Sequence, residues 1–156
     1  MTQRVLVAGL GNEYRSDDGA GPAVAAYVGE RTPSNVDSKV IREPLDLVGA
    51  WDNVDLAVIA DATRSGATPG TVQLVDLGGG ENADSYAGPM STHGMDLARV
   101  LRLARAMGLA PRRVVVVGIE GENFEDGIGL SPAIEVAVPE AGELVLQVID
   151  EAISCA

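Results

Sequence analysis

Residues 4–21, RVLVAGLGNEYRSDDGAG, decide how the rest of the chain is read. Val5 to Ala8 form an apolar run rich in β-branched residues, too short for a helix, and it reads as a buried strand. Gly9 and Gly11 let the backbone turn sharply or approach another segment closely. Asn12 tolerates the left-handed region and can bond its own backbone. Ser16-Asp17-Asp18-Gly19 then precedes small and apolar residues, so a helix is predicted from about Asp18. The order is strand, glycine turn, polar loop, helix. It sets adjacent carboxylates at the carboxyl end of a strand, where open α/β sheets place their ligands.

Working outward, strands are predicted at about 4–9, 38–43, 54–60, 71–77 and 113–119, the second of these as an edge. Helices are predicted at about 18–30, 45–51, 93–108 and 132–152, and Pro139 is expected to kink or split the last. Residues 78–92, with three consecutive glycines and Pro89, read as a long surface loop, and 120–132 as an acidic, glycine-rich one. Strands alternating with helices give one domain over residues 1–156. Its expected fold is α/β, a three-layer αβα sandwich around a mostly parallel twisted sheet. The hairpin-like link from Asp61 to Thr71 adds one antiparallel strand.

Composition narrows the function classes. A net charge of −12 argues against nucleic acid or an anionic membrane as partner, since both require a positive face. The single cysteine, Cys155, excludes an intrachain disulfide and a thiolate zinc site. With no charged leader and no apolar run of membrane-spanning length, a cytoplasmic, soluble chain is expected. Position 14 is Tyr14, so the dinucleotide pattern G-x-G-x-x-G fails, and there is no G-x-S-x-G nucleophile elbow.

Asp18, Asp61 and His93 stand out. Asp18 follows the first strand, Asp61 terminates the strand at 54–60, and His93, the only histidine, opens a helix. Carboxyl ends of parallel strands lie along one rim, so the acids can converge there. Two carboxylates and an imidazole suit nickel, zinc or cobalt and leave coordination positions open. The plainer alternatives are that Asp17 or Asp18 caps the first helix, that Asp61 caps a turn through Thr63, and that His93 is solvated. Arg99, Arg102 and Arg105, with Arg112 and Arg113, read as a solvated face.

The same residues carry a resemblance. GLGNEYRSDDGAG resembles the opening signature of the NiFe-hydrogenase maturation proteases, and IADAT (59–63), STHGMDL (91–97) and VGIEGENFEDGIGLSPAIE (117–135) resemble later family segments in family order. IREPLDL (41–47) departs from the family's glycine-containing acidic segment, and neither Glu43 nor Asp46 is assigned a role. The resemblance implies that Asp18, Asp61 and His93 are metal ligands and that the nickel is supplied by the substrate. It implies an endopeptidase that removes the C-terminal extension of a nickel-loaded hydrogenase large-subunit precursor. A monomer is expected, and no catalytic nucleophile is assigned. Two alternatives remain: a non-catalytic nickel chaperone or sensor on the same fold, and a peptidyl-tRNA hydrolase. The second shares Gly-Leu-Gly-Asn but needs a basic cleft and a His-Asn where this chain has Asp17-Asp18.

Overall fold

The computed structural model describes residues 3–86 and 94–154. Its elements are β1 (Val5–Leu10), a 3-10 turn (Ser16–Gly19), α1 (Ala20–Gly29) and β2 (Val36–Ile41), then a 3-10 turn (Pro44–Asp46) continuing into α2 (Leu47–Ala50). There follow β3 (Leu56–Thr63), β4 (Val72–Gly78), a 3-10 turn (Ala83–Tyr86), α3 (Gly94–Ala106), β5 (Arg113–Glu120) and α4 (Pro132–Ser154). The strands form one sheet in the order β2-β1-β3-β5-β4. All neighbours are parallel except β4 with β5. The expected α/β sandwich with one antiparallel strand is what forms.

Alternation along the central strands divides the core. Val5, Val7, Val58, Ala60, Val115 and Val117 face α1 and α4. Leu6, Ala8, Ala57, Ile59, Val114 and Val116 face α2 and α3, with Trp51, Leu97 and Leu101 packed on them. Both faces are covered, so these strands are apolar throughout rather than alternating, as parallel strands require.

Four expectations change. The Ser16–Gly19 stretch is a separate 3-10 turn, and α1 begins at Ala20. The edge strand lies at Val36–Ile41, two residues earlier than expected. β4 pairs with β5 and not with β3, so the link after Asp61 passes over the end of β5 rather than closing a hairpin; Gly70 N–H bonds the Glu120 carbonyl. Pro139 does not split α4, which runs unbroken from Pro132 to Ser154, so of the two expected effects the split is the one ruled out. Pro139 lies on the exposed face, where water can take the carbonyl its ring leaves unbonded. The 78–92 segment also contains the Ala83–Tyr86 turn. Among the described residues no helix is long and apolar enough to cross a membrane.

Two glycines bring α1 against the sheet. Gly21 sits with its backbone on Leu10 and Ala60, and a Cβ there would fall inside contact distance of both carbonyl oxygens. Gly11 has φ +142°, and a Cβ on it would run into the Asp18 carbonyl. Backbone in the way cannot rotate aside as a side chain can. Gly21→Ala is therefore expected to lower the unfolding free energy by roughly 2–3 kcal/mol in urea denaturation. Unchanged stability would show that the helix can lift off the sheet at no cost.

Candidate metal centre

The strand order reverses direction between β1 and β3, the switch point at which open α/β sheets bind ligands. Asp61 lies in β3, and Asp18 lies in the 3-10 turn that follows β1. Asp61 lies opposite Leu10 in the β1–β3 ladder, so the backbones there are one strand spacing apart, about 4.8 Å. A Cβ on Gly11 would lie 3.5 Å from the Asp18 carboxyl carbon, which puts that carboxylate directly over the end of β1. Both acids are buried, Asp61 completely. Asp61 falls inside β3, which continues to Thr63, and not at the strand's end as the sequence indicated.

Each carboxylate is held by a neighbour. Asn12 N–H donates to Asp18 Oδ2 at 2.9 Å. The hydroxyl of Tyr86, itself buried, donates to Asp61 Oδ2 at 3.3 Å. Tyr86 closes the turn that leads toward α3, and α3 packs on the same sheet face as Tyr86. Because α3 leads into the amino end of β5, its first turn lies toward the carboxyl rim, where the two acids are. His93 immediately precedes Gly94 in the chain but lies outside the described residues, as do Ser91, Thr92 and Cys155. Among the described residues no group of three metal-binding side chains comes together. Asp18 and Asp61 are thus placed on one rim, and the third predicted ligand falls outside the described residues.

Neighbouring carboxylates serve the framework instead. Asp17 caps no helix: its Oδ2 accepts from Glu122 N–H (2.9 Å), Asn123 N–H (2.8 Å) and Ser131 Oγ (2.8 Å), and its Oδ1 from Ser131 N–H (2.7 Å). Burial acts to raise its pKa, but the bonds from Ser131, Asn123 and Glu122 favour the charged form, and the net pKa is lowered from 3.8. Glu120, at the end of β5, accepts from Thr63 Oγ1 (2.9 Å), Ser65 Oγ (2.7 Å) and the Ser65 and Gly66 amides. Thr63 therefore serves Glu120. Sequence reasoning misses the roles of Tyr86 and Glu120. The available signals are a rare aromatic in a polar loop and an acid closing an all-apolar strand.

Glu43 and Asp46 are both exposed, at the loop after β2. The arginine stripe is exposed as expected; Arg102 pairs with Asp84 at 2.5 Å and Arg113 with Asp76 at 3.0 Å.

A family model described as hydrogenase maturation protease matches residues 42–148. The hydrogenase 2 maturation protease of Escherichia coli (strain K12) is 31% identical over 154 residues, covering 95% of this chain and 92% of the relative. The solved E. coli hydrogenase maturating endopeptidase HybD superposes with a TM-score of 0.82 at 29% identity, covering 96% of this chain and 94% of that one. The NiFe hydrogenase maturation protease HybD of Thermococcus kodakarensis gives 0.76 at 26% identity, covering 94% and 99%.

Asp17→Asn places an NH2 group among N–H donors and is expected to cost about 2–4 kcal/mol of stability. The folded pKa of Asp17 lies below its unfolded value. Its contribution is therefore complete above pH ~4 and is lost as pH falls through the folded value. Urea melts from about pH 7 down to about pH 3 should show wild-type stability declining at the acid end. The Asp17→Asn variant should lack that part of the decline.

Proposed function

The chain belongs to the hydrogenase maturation proteases and is an endopeptidase of that family, and from that premise we propose that Asp18, Asp61 and His93 form its metal-recognition site. The substrate on this reading is a hydrogenase large-subunit precursor with nickel already inserted, from which a C-terminal extension is cut. The nickel arrives with the client. The observation that carries the reading is the pair of buried carboxylates at the switch point, Asp18 from the turn after β1 and Asp61 from β3, with the start of α3 turned toward the same rim.

The donor set fits. Carboxylates and an imidazole suit a borderline divalent cation, and three protein ligands leave positions for those of the client. Nickel shared with the client would supply Lewis acidity at the peptide beside it. The chain's residues supply placement. Asn12 N–H fixes the Asp18 carboxylate, and the Tyr86 hydroxyl fixes that of Asp61. Burial of both limits competition from water, and a bound cation would offset the cost of burying carboxylate charge there. The net charge of −12 and the single cysteine support a cytoplasmic protein client rather than nucleic acid or membrane.

Incubating the protein with nickel-loaded and nickel-free precursor tests the proposal. A shortened product is expected from the loaded form alone. Binding without shortening would identify a nickel carrier, and equal cutting of both forms would remove the metal from recognition. His93→Ala is expected to reduce the processing rate at least ~100-fold with the urea midpoint unchanged. Near-normal cutting by that variant would exclude the imidazole as a ligand.

A further inference from the structure

A concavity of about 520 Å³ opens beside the Asp18 loop, between α1, β2 and the loop after β5. That volume is in the ~300–1,000 Å³ range of binding pockets. Tyr14, Ala23, Ala26, Val40, Ile128 and Leu130 supply its apolar surface. Scattered exposed apolar residues need no explanation. Here Ile128 is 84% exposed and Tyr14 and Val40 are each 53% exposed, and all three border the same hollow. Ala23 and Ala26 give α1 a low floor there.

The wall is built to hold its shape. Gly127 N–H bonds the Tyr14 carbonyl at 2.9 Å, and Ser16 N–H bonds the Gly127 carbonyl at 2.9 Å. Gly129, at φ +105°, turns the chain after Ile128. Ser16 and Gly19 also line the hollow and flank Asp17-Asp18 in sequence, so the surface is continuous with the proposed metal rim.

Charge selects the occupant. Among the described residues, Glu13 is the one charged member of the lining. Glu122, Glu125 and Asp126 are exposed on the loop that carries Ile128. Of the nearby cations Lys39 is paired with Asp37 at 3.2 Å, while Arg15 bonds the Phe124 carbonyl at 3.5 Å and Arg42 stands over the Tyr14 ring at 5.6 Å, so the four carboxylates of Glu13, Glu122, Glu125 and Asp126 outnumber these two guanidiniums. In a chain of net charge −12, such a surface attracts an apolar segment carrying a positive charge.

We infer that this hollow docks a segment of the precursor in which an aliphatic side chain sits beside a basic one. The inference rests on the proposed processing function and adds a second point of contact, apart from the metal. Ile128→Asp and Ala26→Phe, one removing the apolar wall and one filling the floor, test it at exposed positions. Each should raise KM for nickel-loaded precursor about tenfold or more, with kcat and nickel affinity within about twofold of wild type, the pattern of lost uniform binding. Glu13→Gln should raise KM less and weaken its dependence on salt.

Precursor binding is measured alongside by fluorescence anisotropy. Unchanged KM and binding in both Ile128→Asp and Ala26→Phe would overturn the docking site while leaving the protease reading intact. Wild type that binds but never cuts, with binding lost in the variants, would support the docking site and count against the protease reading. If the variants instead disrupt self-association with KM unchanged, the surface belongs to a second copy of this chain and the inference fails.

Discussion

The contact on which the rest depends is backbone against backbone: Gly21 of α1 lying on Leu10 of β1 and Ala60 of β3. No side chain intervenes, so the apolar packing of Ala20, Val24 and Val28 can draw the start of α1 right onto the seam between two strands. Asp61 follows Ala60, and Asp18 lies three residues before Gly21. Seating the helix therefore brings the two acids to one rim. This matters because two buried carboxylates repel, and a site of this kind must be assembled by the framework. Gly11, in a conformation that disfavours other residues, finishes the arrangement by letting the Asp18 backbone close over the end of β1.

Two carboxylates at this edge serve the framework. Asp17 and Glu120 are surrounded by N–H and O–H donors and act as fixed anchors, joining the Asp18 loop to residues 122–131 and the end of β3 to the end of β5. Such bonds offset the cost of burying a carboxylate, so burial is tolerated without a metal. Asp18 and Asp61 sit at the switch point itself. Adjacent acids in the sequence, Asp17 and Asp18, thus take different tasks because a 3-10 turn sends them in different directions. One steadies the loop that carries Ile128, and the other belongs to the rim.

This explains what could be read from the chain and what could not. β1, β3 and β5 were legible because a strand covered on both faces must be apolar at every position, and no exposed element needs that pattern. The convergence of Asp18 and Asp61 followed from the rule that parallel strands share a carboxyl edge. The partner of β4 was not legible: Val72 to Gly78 alternates as any half-exposed strand does, and nothing local says whether it lies beside β3 or β5. Whether Pro139 would split α4 was not legible, because that depends on whether the lost hydrogen bond faces water, which only the packing of α4 decides. The roles of Asp17 and Glu120 depend on donors far away in sequence, so composition and spacing carry no trace of them.

If the rim reads the client's nickel and the neighbouring hollow reads its peptide, selectivity need not come from strong binding at either. Contacts joined through one client act as a linked pair, with an effective concentration in the ~mM range for short connections. Each can then be weak alone and sufficient together. A precursor without nickel loses one contact and with it the gain from linkage. A nickel ion without the precursor meets an open site that keeps positions for ligands it does not bring. The shared wall of Ser16 and Gly19 is what makes the coupling possible, since it sets both surfaces on one short, pinned stretch of backbone. Rigidity there has a mechanical consequence. On that reading the distance between peptide and metal contacts is fixed before the client arrives, so a client would be tested for having both features at the right separation, not for either alone.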